Sequence, residues 1–277
     1  MADESVLNNE NILDNESVSE NESVADSEKV NMKRIRLFVA YDGTAYHGWQ
    51  IQKNAVTIES ELNRAIGDLV GCEVAVIGAS RTDAGVHSMG NVAVFDSDTR
   101  IPAEKIAGAI NARLPEDIRI VKSDEVALDW HPRHQDCRKT YEYRITMGRV
   151  QLPTQRLYSH FTYHDVDEEA MKAACGYFIG EHDFASLCAA GSQAETTVRT
   201  IYALEVERHL NELVIRVTGN GFLYNMVRII AGTLLDVGLG RKKPEDIPGI
   251  LESCDRKNAG PTLPARGLTL IGYRYDV

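Results

Sequence analysis

The segment Ala79-Ser-Arg-Thr-Asp-Ala-Gly-Val-His87 packs ionisable and hydroxyl side chains between two apolar stretches. Polar density of this kind, in a loop held by rigid strands, reads as a reactive site. Asp83 supplies a carboxylate able to act as nucleophile or proton acceptor. Gly85 permits a sharp backbone turn, and Ser80 and Thr82 can bond local amides. Arg81 and Asp83 lie two residues apart, so they need not satisfy one another. The competing reading is a loop salt bridge, and these residues alone do not separate the two.

A second signal lies in the apolar stretch Phe222 to Val237, where Arg228 is the only cation among Leu223, Met226, Val227, Ile230, Leu234 and Val237. A guanidinium buried in such company is costly unless paired with an anion. Asp236 is eight residues away, about two helical turns, which is too far for a routine pair along one helix. Asp83 is the candidate partner; the alternative is a side chain that reaches solvent from the helix edge. Other features carry less. His131 and His134, and His182-Asp183, lack third and fourth ligands at metal-site spacing. Gly219-Asn-Gly221 fits an anion-binding helix start or an ordinary turn. Arg241-Lys-Lys243 fits a phosphate contact or a solvated run, and Tyr141 and Tyr143 fit core positions or base-stacking platforms.

The elements that must hold these residues follow from periodicity. Ile35 to Ala40 reads as a strand closed by Asp42 and Gly43, and Thr57 caps a helix with Ile58, Leu62, Ala65, Ile66 and Leu69 at helical spacing. Strands at Glu73 to Ile77 and Asn91 to Asp96, a helix from Pro102 and a strand at Ile118 to Ser123 complete a βαββαβ unit. A second unit repeats the order. It has a half-buried strand at Lys139 to Met147, a helix at Glu168 to Ile179, strands at Thr200 to Glu207 and Glu212 to Thr218, a helix at Phe222 to Val237, a short helix from Pro244 and a strand at Leu268 to Tyr275. The expected fold is therefore α+β: two tandem split-βαβ (ferredoxin-like) units with mainly antiparallel sheets and a central cleft holding the site. The halves are 32–135, carrying the Asp83 loop, and 136–277.

Composition fits a cytoplasmic globular body, and the charge is divided unevenly along the chain. The chain has 277 residues and a formal charge of −11, but residues 1–30 hold nine acidic residues and one lysine, a charge of −8, which leaves −3 for the rest. Basic groups of that nearly balanced body can gather on one face. The first 31 residues repeat Asp/Asn-Glu-Ser-Val at Asp3, Asn15 and Asn21 without an aromatic or a periodic apolar face, and read as a disordered acidic tail. No run approaches the roughly 18 apolar residues of a membrane span, and no secretory signal opens the chain. The five cysteines are scattered without a CxxC pair and read as reduced thiols.

Taken together the segments resemble the tRNA pseudouridine synthase A family from about Lys33 to the C-terminus. Five blocks carry the resemblance: Tyr41-Asp-Gly-Thr-Ala-Tyr-His-Gly-Trp-Gln50, Ser80-Arg-Thr-Asp-Ala-Gly-Val-His87, Arg138-Lys-Thr-Tyr-Glu-Tyr143, Asn225-Met-Val-Arg228, and Ala259-Gly-Pro-Thr followed by Gly267-Leu268. The resemblance implies an isomerase that converts uridine to pseudouridine at positions 38 to 40 of the tRNA anticodon stem-loop, working as a homodimer without metal or cofactor. It implies that Asp83 is the nucleophile, that Arg81 helps displace the target nucleotide, that Tyr141 stacks on or bonds the flipped uracil, and that Arg228 pairs with Asp83. Two features depart from the family pattern: Ser80 stands where Gly is commoner, and the acidic tail has no counterpart.

The reaction fits these residue types. It breaks the N1 glycosidic bond, turns the uracil and rejoins it through C5, so a carboxylate suffices, either adding to C1′ or removing a sugar proton; the sequence leaves both routes open. Two rival readings are weaker. An RRM-type module needs a basic-aromatic third strand, whereas Gly90-Asn-Val-Ala-Val-Phe95 has one aromatic. A glycosidase needs two carboxylates flanking the bond, and the loop offers one.

Overall fold

The computed structural model describes residues 32–275; the acidic segment 1–31 lies outside the described residues. In chain order the regular elements are β1 (Lys33–Tyr41), α1 (Ile58–Val70), β2 (Ile77–Gly78), β3 (His87–Ser97), α2 (Ala103–Asn111), β4 (Ile118–Val126), β5 (Cys137–Met147), β6 (His160–Thr162), α3 (Glu168–Cys175), β7 (Gly180–Asp183), β8 (Val198–His209), β9 (Glu212–Gly219), α4 (Met226–Gly238), α5 (Asp246–Glu252) and β10 (Leu268–Tyr275). All ten strands belong to one mostly antiparallel sheet, in which the order β4-β1-β3-β10-β5-β9-β8-β7 is flanked by β2 on β3 and β6 on β5. The five helices among the described residues complete an α+β architecture. No helix among them is long and apolar enough to cross a membrane.

Local chemistry sets the elements that matter for the site. Thr57 and Ser60 form a reciprocal capping box at the start of α1, and Gly71 in the left-handed region ends that helix. β1 buries alternate residues, Ile35, Leu37, Val39 and Tyr41, against Ile58, Leu62 and Ile106 of α1 and α2. A second core forms between β5, β8, β9 and β10 and helices α3 to α5; α4 is apolar almost all round and is buried accordingly. The two parts of the sheet meet where β10 pairs in parallel with β3, Thr269 opposite His87 and Leu270 opposite Ser88. Val86, at the end of the polar loop, packs into this second core, which locks the loop across the junction.

Several boundaries differ from the sequence reading, each for a physical reason. The strand expected at Glu73 to Ile77 shrinks to β2, because the Val76 amide is taken by the Asn63 side chain at 3.0 Å rather than by a neighbouring strand. β3 starts earlier, at His87, because β1 and β10 both extend it. α4 starts at Met226, not Phe222, because Asn225 is left-handed with φ 59°. The helix from Glu168 gives way at Gly176 to a 3-10 turn. β5 is not half-buried: its second face carries Glu142, 6% exposed between Arg144 at 2.9 Å and Arg216 at 2.6 Å, and buried Thr146. β6 and β7 have no counterpart in the expected elements.

Gly48 shows how tightly the segment before α1 lies under the polar loop. Its φ is +86°, and a Cβ there would stand 2.6 Å from the Thr82 carbonyl oxygen, while Trp49 N–H donates to that same oxygen at 3.0 Å. Gly48→Ala is therefore expected to cost about 2 kcal/mol or more in urea denaturation. A loss below about 0.5 kcal/mol would mean that the two segments part without strain.

Candidate active site

The loop between β2 and β3 is held by backbone bonds and by the side chains of Thr82 and His87. Ala79 N–H donates to Val92 O at 2.7 Å, and Thr82 shares a buried hydroxyl bond with Tyr41 at 2.7 Å. Val86 N–H donates to Asp83 O at 3.1 Å, closing a turn whose third residue, Gly85, has φ +79°, as a type II turn requires. His87 is buried: its Nδ1 accepts from Gly43 N–H at 3.1 Å, which leaves Nε2–H to donate to Leu157 O at 3.1 Å. Thr82 and His87 are thus consumed by the scaffold. Asp83 is turned into the open cleft, its side chain 27% exposed.

Arg228 reaches Asp83 from the first turn of α4. Its Nη1 stands 3.1 Å from Asp83 Oδ2 and also meets Asn225 Oδ1, and its Nε donates to Leu263 O at 2.7 Å. The side chain is 16% exposed, so the guanidinium has left bulk solvent and three acceptors replace its water. Asp236 pairs instead with Arg241, at 3.1 Å. The strap that carries Leu263 lies directly on α4. Any Cβ on Gly232 would collide with Pro261 O, and Gly260 N–H donates to the buried Thr233 hydroxyl at 2.9 Å. That contact explains the Ala259-Gly-Pro-Thr block: small residues let the strap approach close enough for its carbonyl to hold Arg228.

The cleft around Asp83 has a volume of about 850 Å³ and draws its lining from β2–β3, β5 and the segments at 191–194 and 222–227. Tyr141 is 8% exposed, its ring edge-on to Phe222 at 5.2 Å between centroids. Burial pushes its phenol up to about 12, so it is neutral at physiological pH. Arg81, Arg133, Lys139 and Arg199 also line the cleft, and none of these four has a carboxylate partner among the described residues. Arg81 is exposed beside Asp83; Arg133 is anchored to Gly78 O at 2.8 Å and Arg199 to Thr196 O at 2.9 Å. Burial lowers the Lys139 ammonium pKa, and the nearby charges of Arg199 and Arg133 lower it further. Asp83 is the only carboxylate among the described residues lining the cleft.

The weaker sequence signals resolve into scaffold. His131 and His134 stack on each other at 4.0 Å, and His182 bonds Ile179 O at 3.0 Å. Among the described residues no group of three or more His, Cys, Asp or Glu could hold a metal ion. Gly219-Asn-Gly221 is a turn, five residues ahead of α4, in which the Asn220 side chain accepts from Thr200 N–H at 2.9 Å. Tyr143 is core, its hydroxyl on Pro264 O at 2.8 Å. Cys72, Cys175, Cys188 and Cys254 are free thiols. Sequence reasoning passed over Arg133, Lys139, Arg199 and Phe222. The signal for Lys139 was present, since it shares a strand face with Tyr141 two residues on.

Comparison with known proteins follows the same residues. A family model described as tRNA pseudouridine synthase matches residues 37–135 and 174–276. The chain is 47% identical to tRNA pseudouridine synthase A of Thermoanaerobacter sp. (strain X514) over 244 residues, 88% of this chain and 100% of that one. It is 45% identical, with the same coverage, to tRNA pseudouridine synthase A of Acetivibrio thermocellus. It is 44% identical to tRNA pseudouridine synthase A 2 of Clostridium perfringens over 86% of this chain and 98% of that one.

The geometry at Arg228 makes a stability prediction. Arg228→Met leaves Asp83 and Leu263 O without their donor, and the protein is expected to lose about 1 to 3 kcal/mol in urea denaturation. Arg228→Lys should recover little, because a single ammonium cannot serve both acceptors from opposite sides of a planar fork. Full recovery by lysine would show that charge alone matters there.

Proposed function

The chain belongs to the tRNA pseudouridine synthase A family, an isomerase acting on tRNA, and from that premise we propose that its targets are uridines 38, 39 and 40 of the anticodon stem-loop and that Asp83 is its catalytic carboxylate. One observation carries the assignment of Asp83: among the described residues lining the cleft it is the single carboxylate beside four cationic side chains, and it is held by the Arg228 guanidinium from α4. Arg228, 3.1 Å from Oδ2, holds the carboxylate in place. The chemistry closes on the substrate alone: the N1–C1′ bond breaks, a C5–C1′ bond forms, C5 loses its hydrogen as a proton and N1 gains one. Addition of the carboxylate to C1′ and removal of a sugar proton both need the ionised form and no co-reactant.

The neighbouring residues take roles that follow from where they sit. Arg81, exposed and unpaired two residues before Asp83, enters the stem as the target leaves its stack, offsetting an unstacking cost of about a few kcal/mol. Tyr141, neutral and edge-packed on Phe222, meets the flipped uracil. Arg133, Lys139 and Arg199 face phosphate, as suits an A-form stem read by shape. The strand orders β4-β1-β3-β2 and β10-β5-β9-β8 support two tandem split-βαβ halves, 32–135 and 136–277, with the cleft at their junction. The enzyme acts as a cytoplasmic homodimer in this reading, and exposed Val150, Leu152 and Tyr163 offer an apolar contact surface.

Asp83→Asn should bind tRNA with near-native affinity yet release no measurable tritium from C5-labelled uridine, a loss beyond the roughly 10²- to 10⁴-fold of an acid-base helper. A tenth of wild-type turnover in pure variant would move the chemistry elsewhere. Wild-type product should carry pseudouridine at 38 to 40 when mapped by reverse transcription after carbodiimide treatment, and modification at other positions would overturn that assignment.

Lys139→Met removes one cation from a crowded group. The free protein should melt no lower than wild type, while tRNA affinity falls and the slope of log affinity against log salt shrinks by about 1. An unchanged slope would take Lys139 off the phosphate path.

A further inference from the structure

Within β3 the run Asn91 to Phe95 is buried throughout, and one of its five side chains is polar. Val92, Ala93, Val94 and Phe95 are buried, and so is Asn91, at 0% exposure. A carboxamide there contributes nothing to the sheet ladder, and an aliphatic side chain would suit the core better. Its bonds go elsewhere. Asn91 Nδ2 donates to Ser80 O at 3.0 Å, and Oδ1 accepts from Ser80 N–H at 3.4 Å and from the Tyr273 hydroxyl at 3.0 Å. The orientation of the amide is forced, because the flipped form would set NH₂ against N–H and oxygen against oxygen. Both backbone groups of Ser80 are therefore gripped by one side chain. Tyr273, which braces that side chain, comes from β10, the strand that joins the two parts of the sheet.

We infer that Asn91 is a positioning residue for the reaction: its carboxamide, braced by Tyr273, clamps Ser80 and thereby sets the path of the backbone to Asp83. The inference rests on Asp83 being the catalytic carboxylate. Ser80 precedes Asp83 by three residues, and the next fixed points are the Thr82 hydroxyl on Tyr41 and the Asp83–Val86 turn. The clamp is the last anchor on the entering side of the loop, one residue after the Ala79 bond to Val92 O. Without it the carboxylate keeps its charge and its Arg228 partner but loses its angle of approach, and a displacement of about 1 Å can cost 10²-fold in rate. The Ser80 hydroxyl also faces the Tyr141 and Tyr273 phenols, both raised chiefly by burial, so the same residue ties the loop to the ring proposed to meet the base.

Single-turnover tritium release and tRNA binding, measured on Asn91→Asp and Tyr273→Phe, test the clamp. At neutral pH the aspartate opposes the Ser80 carbonyl with a carboxylate. The rate of chemistry is expected to fall by about tenfold or more while tRNA affinity stays within about twofold. As pH is lowered, the ratio of variant to wild-type rate should climb, because a protonated carboxyl regains the donor. Tyr273→Phe keeps the ring and removes the brace; its rate should fall severalfold, again with affinity unchanged. A purely structural role would lower the melting temperature and leave both rates intact in the folded fraction. Wild-type rates in both variants, or a ratio flat with pH in a folded Asn91→Asp, would overturn the inference; if Asn91→Asp does not fold, Tyr273→Phe alone decides. Asp83→Asn run alongside keeps the two claims apart: an inactive Asp83→Asn beside fully active clamp variants sinks the clamp only, and an active Asp83→Asn sinks the reading beneath it.

Discussion

A guanidinium cannot be taken from water into an apolar helix without compensation, and in this chain the compensation organises the molecule. Arg228 sits in the first turn of α4, where its donors find Asp83 on the far loop, Asn225 at the helix start and the Leu263 carbonyl on the C-terminal strap. Each acceptor belongs to a different segment, and each must be brought within bonding distance. The left-handed Asn225 bends the chain into α4 at the residue that accepts from Arg228. The strap is pressed onto α4 at glycines. The loop is carried over by β3, whose pairing with β10 spans the two parts of the sheet. Removing one partner would leave a charge in a partly dry site, which is more costly than never having buried the pair.

Close backbone approach is the second theme, and it explains why the conspicuous sequence blocks combine glycine with residues that do no chemistry. Gly48 lets Trp49 donate to the Thr82 carbonyl; Gly267 faces the Tyr143 ring, where a Cβ would stand 2.6 Å from it. His87 and Thr82 lie inside the polar loop yet serve as anchors. The block is therefore one cleft-facing carboxylate with its mounting: Thr82 spends its hydroxyl on Tyr41, and His87 spends its ring nitrogens on backbone groups.

The parts legible in the sequence are those whose signal is local or carried by chemistry that has few alternatives. Alternation in β1 and helical spacing in α1 gave their faces, and a lone cation in an apolar helix named its need for an anion before any partner was visible. What stayed hidden depends on tertiary neighbours. Val74, Val76 and Ile77 look like a strand, but a side chain of α1 takes the Val76 amide, and no periodicity reports that. Phe222 to Asn225 keeps helical spacing while one left-handed residue breaks the helix. Arg133 lies in an irregular segment and Arg199 near the start of β8, so only the folded chain brings them to one cleft with Lys139. Strands of three and four residues, such as β6 and β7, are too short to show a period.

Charge has to be judged at the scale of the cleft. The chain as a whole is acidic at −11, and most of that charge lies in the first thirty residues, whereas the cleft is lined by four cations without carboxylate partners and by one paired carboxylate. Three phenols lie close to the loop that carries Asp83. Burial raises Tyr41 and Tyr273 well above the usual tyrosine range and Tyr141 to about 12, so at neutral pH they act as uncharged hydrogen-bonding groups. A site built this way contains a single negative charge, and every other charged group in it attracts an anion. A polyanion is attracted to such walls, and in the proposed function Asp83 is the group left to meet the sugar. On that reading binding and chemistry use charges of opposite sign in the same cavity, and Arg228 keeps them apart by holding the carboxylate on its own side.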